Sequence, residues 1–308
     1  MSPRVWRVAL MVGALLAMTE VAVRCFGLVD FPVYAIDDDV GYFPQPSQSG
    51  AFLGRHRWVF NSSSMGIEAP WEPGPRTDVL LIGNSVILGG NNYDQPEKVT
   101  PQLQQHVDSQ CAIWPVATGG WGTVNEYRFL ERHPEIVEGA DFFIWELMAH
   151  QMAGPQSWTR ETAIPTHHPW WAAGYVARKL MHDQFPQWTL PEPPRHSISD
   201  AELAGYYQRF EFMLERLQHS TRSKPSGIIF LYPDRQQLQG ARSGLEWFVD
   251  RDRIELIARA HGVLLIDITR YPQWTDAMYR DQVHPTAAGN AVLADILRQT
   301  LRQVMPSC

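Results

Sequence analysis

Long runs of Lys or Arg are missing from this 308-residue sequence, in which 26 basic and 33 acidic side chains leave a formal charge of −7. Without a basic patch nothing neutralises a phosphate backbone, so nucleic acid is not an expected partner. Cysteine is scarce as well. Its three residues, Cys25, Cys111 and Cys308, show no metal-ligand spacing and allow at most one internal bridge. The pair His167-His168 points to no metal either, because adjacent imidazoles diverge in most backbones and no carboxylate or thiol lies at ligand spacing. No metal and no cofactor is expected. What is abundant is aromatic and rigid: 12 Trp, 10 Tyr and 23 Pro. Flat rings beside fixed turns line carbohydrate sites, although they fill ordinary cores just as well. With 44% hydrophobic residues the chain can bury one sizeable core, which favours one domain with appendages.

At the N-terminus Arg4 and Arg7 flank an apolar stretch from Val8 to Met18, continued through Val21 to Val23 and closed by Arg24. The pattern reads as a signal anchor over residues 1–26, with its leading positive charge cytoplasmic and the body exported. The unbroken apolar run is shorter than the roughly 20 residues of a bilayer span, and Glu20 interrupts its extension. Removal as a cleaved signal peptide is the alternative, but no small-x-small site follows the stretch. Val-Arg precedes Cys25 where a lipoprotein cleavage site needs small residues. Residues 27–75 are rich in Pro, Gly, Ser and aromatics, with an acidic patch at Asp37 to Asp39. They read as an extended stalk whose short strands pack on the next domain.

From residue 76 to 308 short apolar runs alternate with amphipathic stretches. Strands are expected near 78–82, 112–116, 142–147, 227–232 and 263–267, and helices near 98–108, 123–132, 200–220, 246–261 and 285–304. Continuous apolar strands with helices between them predict a parallel sheet covered on both faces, a three-layer α/β/α sandwich. The last helix is the clearest: Ala288, Val292, Leu293, Ile296, Leu297, Leu301 and Val304 recur at three- and four-residue spacing, and Pro285 suits its first turn. Residues 151–195 do not fit the alternation. They hold Trp158, Trp170, Trp171, Trp188 and seven prolines, and read either as a lid or binding loop or as a hydrophobic collar resting on the membrane or on the domain's own flank.

The chemistry begins where the strand ending at Ile82 runs into Gly83-Asn84-Ser85. In open α/β sheets the carboxyl ends of strands face the active crevice, which makes Ser85 a candidate nucleophile once an imidazole can take its proton. Asp281-Gln282-Val283-His284, just before the last helix, supplies both missing parts. The spacing lets the carboxylate fold back onto the ring and fix its tautomer.

Gly83-Asn84-Ser85, Gly120-Trp121-Gly122-Thr123 and Asp281-Gln282-Val283-His284-Pro285 together resemble the ordered sequence blocks of SGNH (GDSL-like) hydrolases, over roughly residues 76–304. The lead-in with Asn61 and Gly66 is similar to that of membrane-anchored bacterial envelope members. The resemblance implies a flavodoxin-like α/β/α sandwich and a triad of Ser85, His284 as general base, and Asp281 as its orienting partner. It also implies an oxyanion hole built from the Ser85 and Gly120 backbone N–H groups and a side-chain amide from a third block. Localisation follows: the inner membrane with the body in the periplasm, or secretion after signal cleavage.

Two positions depart from the family pattern. Asn84 stands where Asp is usual, and the third block's Gly-x-Asn-Asp is absent, the strand reading Phe143-Ile144-Trp145-Glu146-Leu147. His150 or Gln151 is a candidate substitute donor, although the simpler reading of both is a loop residue facing water. That Trp-Glu stretch is similar to the equivalent strand of alginate O-acetyltransferase-like members, which modify exopolysaccharides but place their Asp-x-His pair before the serine. Asn84, Trp145, His150 and Arg235 are the candidate substrate contacts, Arg235 because it follows the strand ending at Tyr232-Pro233, where a surface salt bridge competes with sugar or carboxylate binding.

The expected function is an exported acyl-ester hydrolase or O-acyltransferase, acting on acetyl groups of an envelope polysaccharide through an acyl-enzyme on Ser85. A catalytically weak domain that binds a polysaccharide or a membrane partner in a synthesis and export complex is the rival, and a lipid esterase comes third.

Overall fold

The apolar N-terminal stretch is helical from Pro3 to Cys25 (α1), with none of its residues buried and a mean hydropathy of 1.8 over its best window. It belongs to a computed structural model that describes residues 3–149, 152, 154–185, 198–220 and 225–308. Two antiparallel hairpins follow, β1 (Tyr34–Asp37) with β2 (Gly41–Pro44), and β3 (Gln48–Phe52) with β4 (His56–Phe60). They are no loose tether. Val40, Tyr42 and Met65 share one core with Leu80 and Ile82, and the Trp121 indole N–H donates to the Tyr42 carbonyl at 2.6 Å.

The body then runs β5 (Thr77–Gly83), α2 (Ser85–Leu88), α3 (Val99–His106), β6 (Cys111–Ala117), α4 (Thr123–Arg132), α5 (Pro134–Gly139) and β7 (Phe142–Leu147). It continues through α6 (Ala172–Gln184), α7 (Asp200–Ser220), β8 (Gly227–Leu231), α8 (Arg235–Arg242), α9 (Arg251–Ala260), β9 (Leu264–Asp267) and α10 (Ala287–Val304). All five body strands pair in parallel, in the order β6-β5-β7-β8-β9. This is the doubly wound 2-1-3-4-5 arrangement, with its switch point between the first and third strands of the sheet.

Side-chain alternation divides the sheet between two cores. Leu80, Ile82, Phe143, Trp145 and Ile229 face α4, α5, α7 and α9, while Val79, Leu81, Ile144 and Phe230 face α3, α8 and α10. Burial on both sides is why the strands read as unbroken apolar runs. One bridge forms, between Cys111 and Cys308, tying the end of the sequence to the start of β6.

Four expectations need correction. α10 begins at Ala287, capped by Thr286, whose hydroxyl accepts the Gly289 N–H at 2.9 Å; Pro285 lies outside the helix in an isolated bridge to Tyr279. α9 starts at Arg251 instead of residue 246. Two further helices were not expected: α8, whose one buried residue is Leu238, and α6, inside the aromatic insertion. Trp188 and the rest of 186–197 lie outside the described residues.

Candidate active site

Gly83 ends β5 with no room for a side chain: a Cβ there would overlap the Glu146 carboxylate and the Ile87 side chain. The chain turns at Asn84 and starts α2 at Ser85. Asn84 is the N-cap, its Oδ1 accepting the Val86 N–H at 2.9 Å and its Nδ2 donating to Met148 Sδ at 3.4 Å. Buried to 2% exposure and engaged at both ends of its amide, Asn84 builds the turn and does not reach outward for a substrate. Ser85 is left half-buried at the carboxyl edge of the sheet.

His284 comes to that serine from 199 positions away, its Nε2 at 3.0 Å from Ser85 Oγ. The Nδ1 lies 3.0 and 2.9 Å from the two Asp281 oxygens. An ionised carboxylate only accepts, so Nδ1 carries the proton and donates to Asp281, which leaves Nε2 to accept from the serine hydroxyl. Burial pushes the Asp281 carboxyl upward, but the His284 and Val283 backbone N–H groups, at 2.8 and 2.9 Å, and the His284 ring outweigh it and hold it far below the usual carboxylate range. Arg280 lies against the same carboxylate at 3.2 Å and accepts no role in proton transfer.

The loop carrying Asp281 and His284 is fastened at several points that sequence reading missed. Tyr232 donates its hydroxyl to the Val283 carbonyl at 2.8 Å. Tyr279 donates to the Pro233 carbonyl at 2.6 Å, and Tyr93 to the Pro285 carbonyl at 2.5 Å. Arg235, expected as a substrate contact, instead donates its guanidinium to the Asp276 and Tyr279 carbonyls at 2.9 and 3.0 Å, and its backbone N–H to the Gln282 carbonyl. Its position straight after β8 was the available signal; what it meets there is protein backbone.

Trp145 is also displaced from its expected role. It is fully buried, its indole N–H donating to Glu126 at 2.6 Å and its ring edge-on to Phe210, so it builds the core under the crevice. Its neighbour Glu146 points under the nucleophile turn, where Oε2 accepts the Asn84 N–H at 3.2 Å and Oε1 has no partner among the described residues. Desolvation pushes the Glu146 carboxyl up to about 8, only partly offset by that Asn84 hydrogen bond. Glu126 is raised well above the carboxylate range for the same first reason.

On the oxyanion side, Gly120 follows β6 at the same edge of the sheet. It adopts φ +80°, and a Cβ there would sit 2.6 Å from the Tyr42 hydroxyl, which itself donates to the Gly119 carbonyl at 2.9 Å. Among the described residues neither the Ser85 nor the Gly120 backbone N–H takes part in a hydrogen bond. β7 ends in Leu147 and Met148, with no amide side chain; His150 and Gln151 lie outside the described residues.

No protein-family model matches the chain, and no curated protein matches it. Among solved structures it is similar to the psychrotrophic esterase EstA from Pseudoalteromonas sp., with 12% identity over 74% of this chain and 97% of that one and a TM-score of 0.45. It is similar to a member of the lipolytic G-D-S-L family from Veillonella parvula, at 11% identity, 75% and 99% coverage and a TM-score of 0.40. An acetylxylan esterase from Geobacillus stearothermophilus matches at 18% identity, 76% and 97% coverage and a TM-score of 0.38. The chain's own strand order gives it a doubly wound α/β/α sandwich, and Ser85, Gly120 and His284 come to one edge of its sheet.

Proposed function

We propose that the chain is a serine-dependent acyl-ester enzyme of SGNH type, held at a bacterial inner membrane by α1 with its body in the periplasm. The observation that carries the reading is the continuous hydrogen-bonded line from the Ser85 hydroxyl through His284 to Asp281. In the first half-reaction Ser85 Oγ attacks the ester carbonyl while His284 Nε2 takes its proton. The tetrahedral oxyanion is met by the Ser85 and Gly120 N–H groups. His284 then returns the proton to the departing alkoxide, leaving an acyl group on Ser85. Water or a sugar hydroxyl, deprotonated by His284, attacks that acyl group and regenerates the serine. Hydrolase and O-acyltransferase differ only in this acceptor.

Acetyl groups on an envelope polysaccharide are the proposed substrate, supported by a shallow site open to a polymer: the Asp281 and His284 side chains keep 44% and 36% exposure. The Cys111–Cys308 bridge agrees with an oxidising compartment outside the cytosol. One observation favours a second reading, a weakly active domain within a polysaccharide synthesis and export complex: the end of β7 sets Met148, not an amide donor, beside Asn84.

Labelling the full-length protein with a fluorophosphonate decides between them. An adduct on Ser85 that is lost in Ser85→Ala supports the enzyme; no adduct at neutral pH, while a known serine esterase labels alongside, removes it.

A further inference from the structure

The end of α1 is bonded to the body. Glu20, which seemed to spoil the apolar stretch, accepts the first backbone N–H groups of α6, Ala172 at 3.0 Å and Ala173 at 2.8 Å. Those amides have no partner within their own helix, and a carboxylate is favoured at a helix N-terminus. Arg24, ion-paired with Glu20, donates to the Pro169 and Trp170 carbonyls at 3.0 and 2.8 Å. Two charges at the end of an apolar helix are thus consumed by contacts with the body.

α1 rises about 26 Å before Glu20 at about 1.5 Å per residue, against roughly 30 Å of bilayer hydrocarbon, with Arg4 and Arg7 in its first turns reaching back to the cytoplasmic interface. The water boundary therefore falls at the level of Glu20, where α6 begins. One face of α6 is accounted for: Ala172 and Tyr175 pack with Val29 and Phe31, and Val23 of α1 joins them. The other is not. Leu180 is 56% and Met181 49% exposed, beside the exposed Arg178, and just before the helix Trp170 is 87% and Trp171 46% exposed; Lys179 donates to the Thr162 carbonyl at 3.0 Å. Paired Trp, an apolar stripe and basic neighbours make up the composition of a helix lying at a lipid surface.

We propose that α6 rests in the outer interface of the bilayer that α1 crosses, with Trp170, Trp171, Leu180 and Met181 entering the lipid and Arg178 meeting anionic headgroups. The body is then fixed against the membrane at two points instead of swinging from a tether. The inference rests on α1 being a retained span and is independent of catalysis.

The test uses the full chain in vesicles of phosphatidylethanolamine and phosphatidylglycerol. In a Cys25→Ser background, a spin label is placed by Leu180→Cys, and in a separate protein by Leu256→Cys, on α9 and 67% exposed. Collision with oxygen, which concentrates in lipid, is compared with collision with a water-soluble nickel chelate. Oxygen should dominate at 180 and the chelate at 256. Chelate dominance at both positions, with the intact mass still including α1, overturns the lipid contact alone. Dipolar broadening between labels at 180 would mean that a second copy covers the face, which also overturns it. An intact mass lacking α1 removes the anchor reading, and the α6 contact with it.

Discussion

On one side of the Ser85 hydroxyl, the loop from Asp276 to Pro285 is held by Tyr93, Tyr232, Arg235 and Tyr279, and its Asp281 collects two backbone N–H groups as well as the His284 ring. On the other side, Gly120 offers an unengaged N–H from a left-handed turn, and β7 closes with Leu147 and Met148. The proton-handling half is cross-braced by five or more hydrogen bonds; the charge-stabilising half rests on backbone amides. Under the proposed mechanism, the contrast makes acylation depend on proton transfer more than on oxyanion stabilisation.

The largest effect should come from His284→Ala. Burst release from p-nitrophenyl acetate should fall roughly 10,000-fold or more, with the melting temperature little changed because the ring lies at the surface. A loss of under about tenfold would mean that the braced side is not the working one. Next is Gly120→Ala, which strains a positive φ and sets a methyl against Tyr42; kcat/KM should drop on the order of 100-fold, the scale of one oxyanion donor. An unchanged rate would place the oxyanion elsewhere. Arg235→Ala should loosen the histidine loop and lower kcat roughly tenfold at constant KM, and Arg235→Lys should restore part of it, since both carbonyls are met by one guanidinium nitrogen, which an ammonium can imitate. A rise in KM instead would return Arg235 to the role of substrate contact.

The smallest effect is on stability. Glu146 is raised in the folded protein, to about 8, against about 4.3 in an unfolded chain, so between these values the folded state holds the extra proton. Its stabilising share is complete below the lower value and is lost as pH rises through the upper one. Melting temperature should therefore decline from pH 5 to 8, and Glu146→Gln, which keeps an acceptor for the Asn84 N–H, should flatten that decline. Parallel curves for the two proteins would show that Glu146 is charged in the fold.

The sheet was legible because its strands are buried on both faces: the apolar run at 142–147 is β7 to the residue, and 123–132 and 200–220 are α4 and α7. α8 was hidden by its polar sequence, with Leu238 alone facing the core, and α6 by the prolines and tryptophans around it, which imitate a loop. The meeting of Ser85, Asp281 and His284 could be read because local spacing defines the Asp-His pair and a strand end defines the serine. Arg235 and Glu146 could not. Their roles depend on which backbone carbonyl or amide lies opposite after folding, and no periodicity records that. Trp145 misled for a related reason: an aromatic residue beside a motif looks like a ligand platform until the Glu126 carboxylate is found beneath it.

The bridge between Cys111 and Cys308 encloses β7, β8, β9 and α10 in one covalent ring, with His284 inside it and Ser85 outside. A protease nick anywhere within that ring would leave the molecule whole on a gel until a reductant is added. The histidine would stay tethered through β6, whose seven-residue register with β5 leads to the serine. A clipped molecule would thus keep Ser85 and His284 within one covalent assembly, where an unstapled chain would separate into two pieces on denaturation.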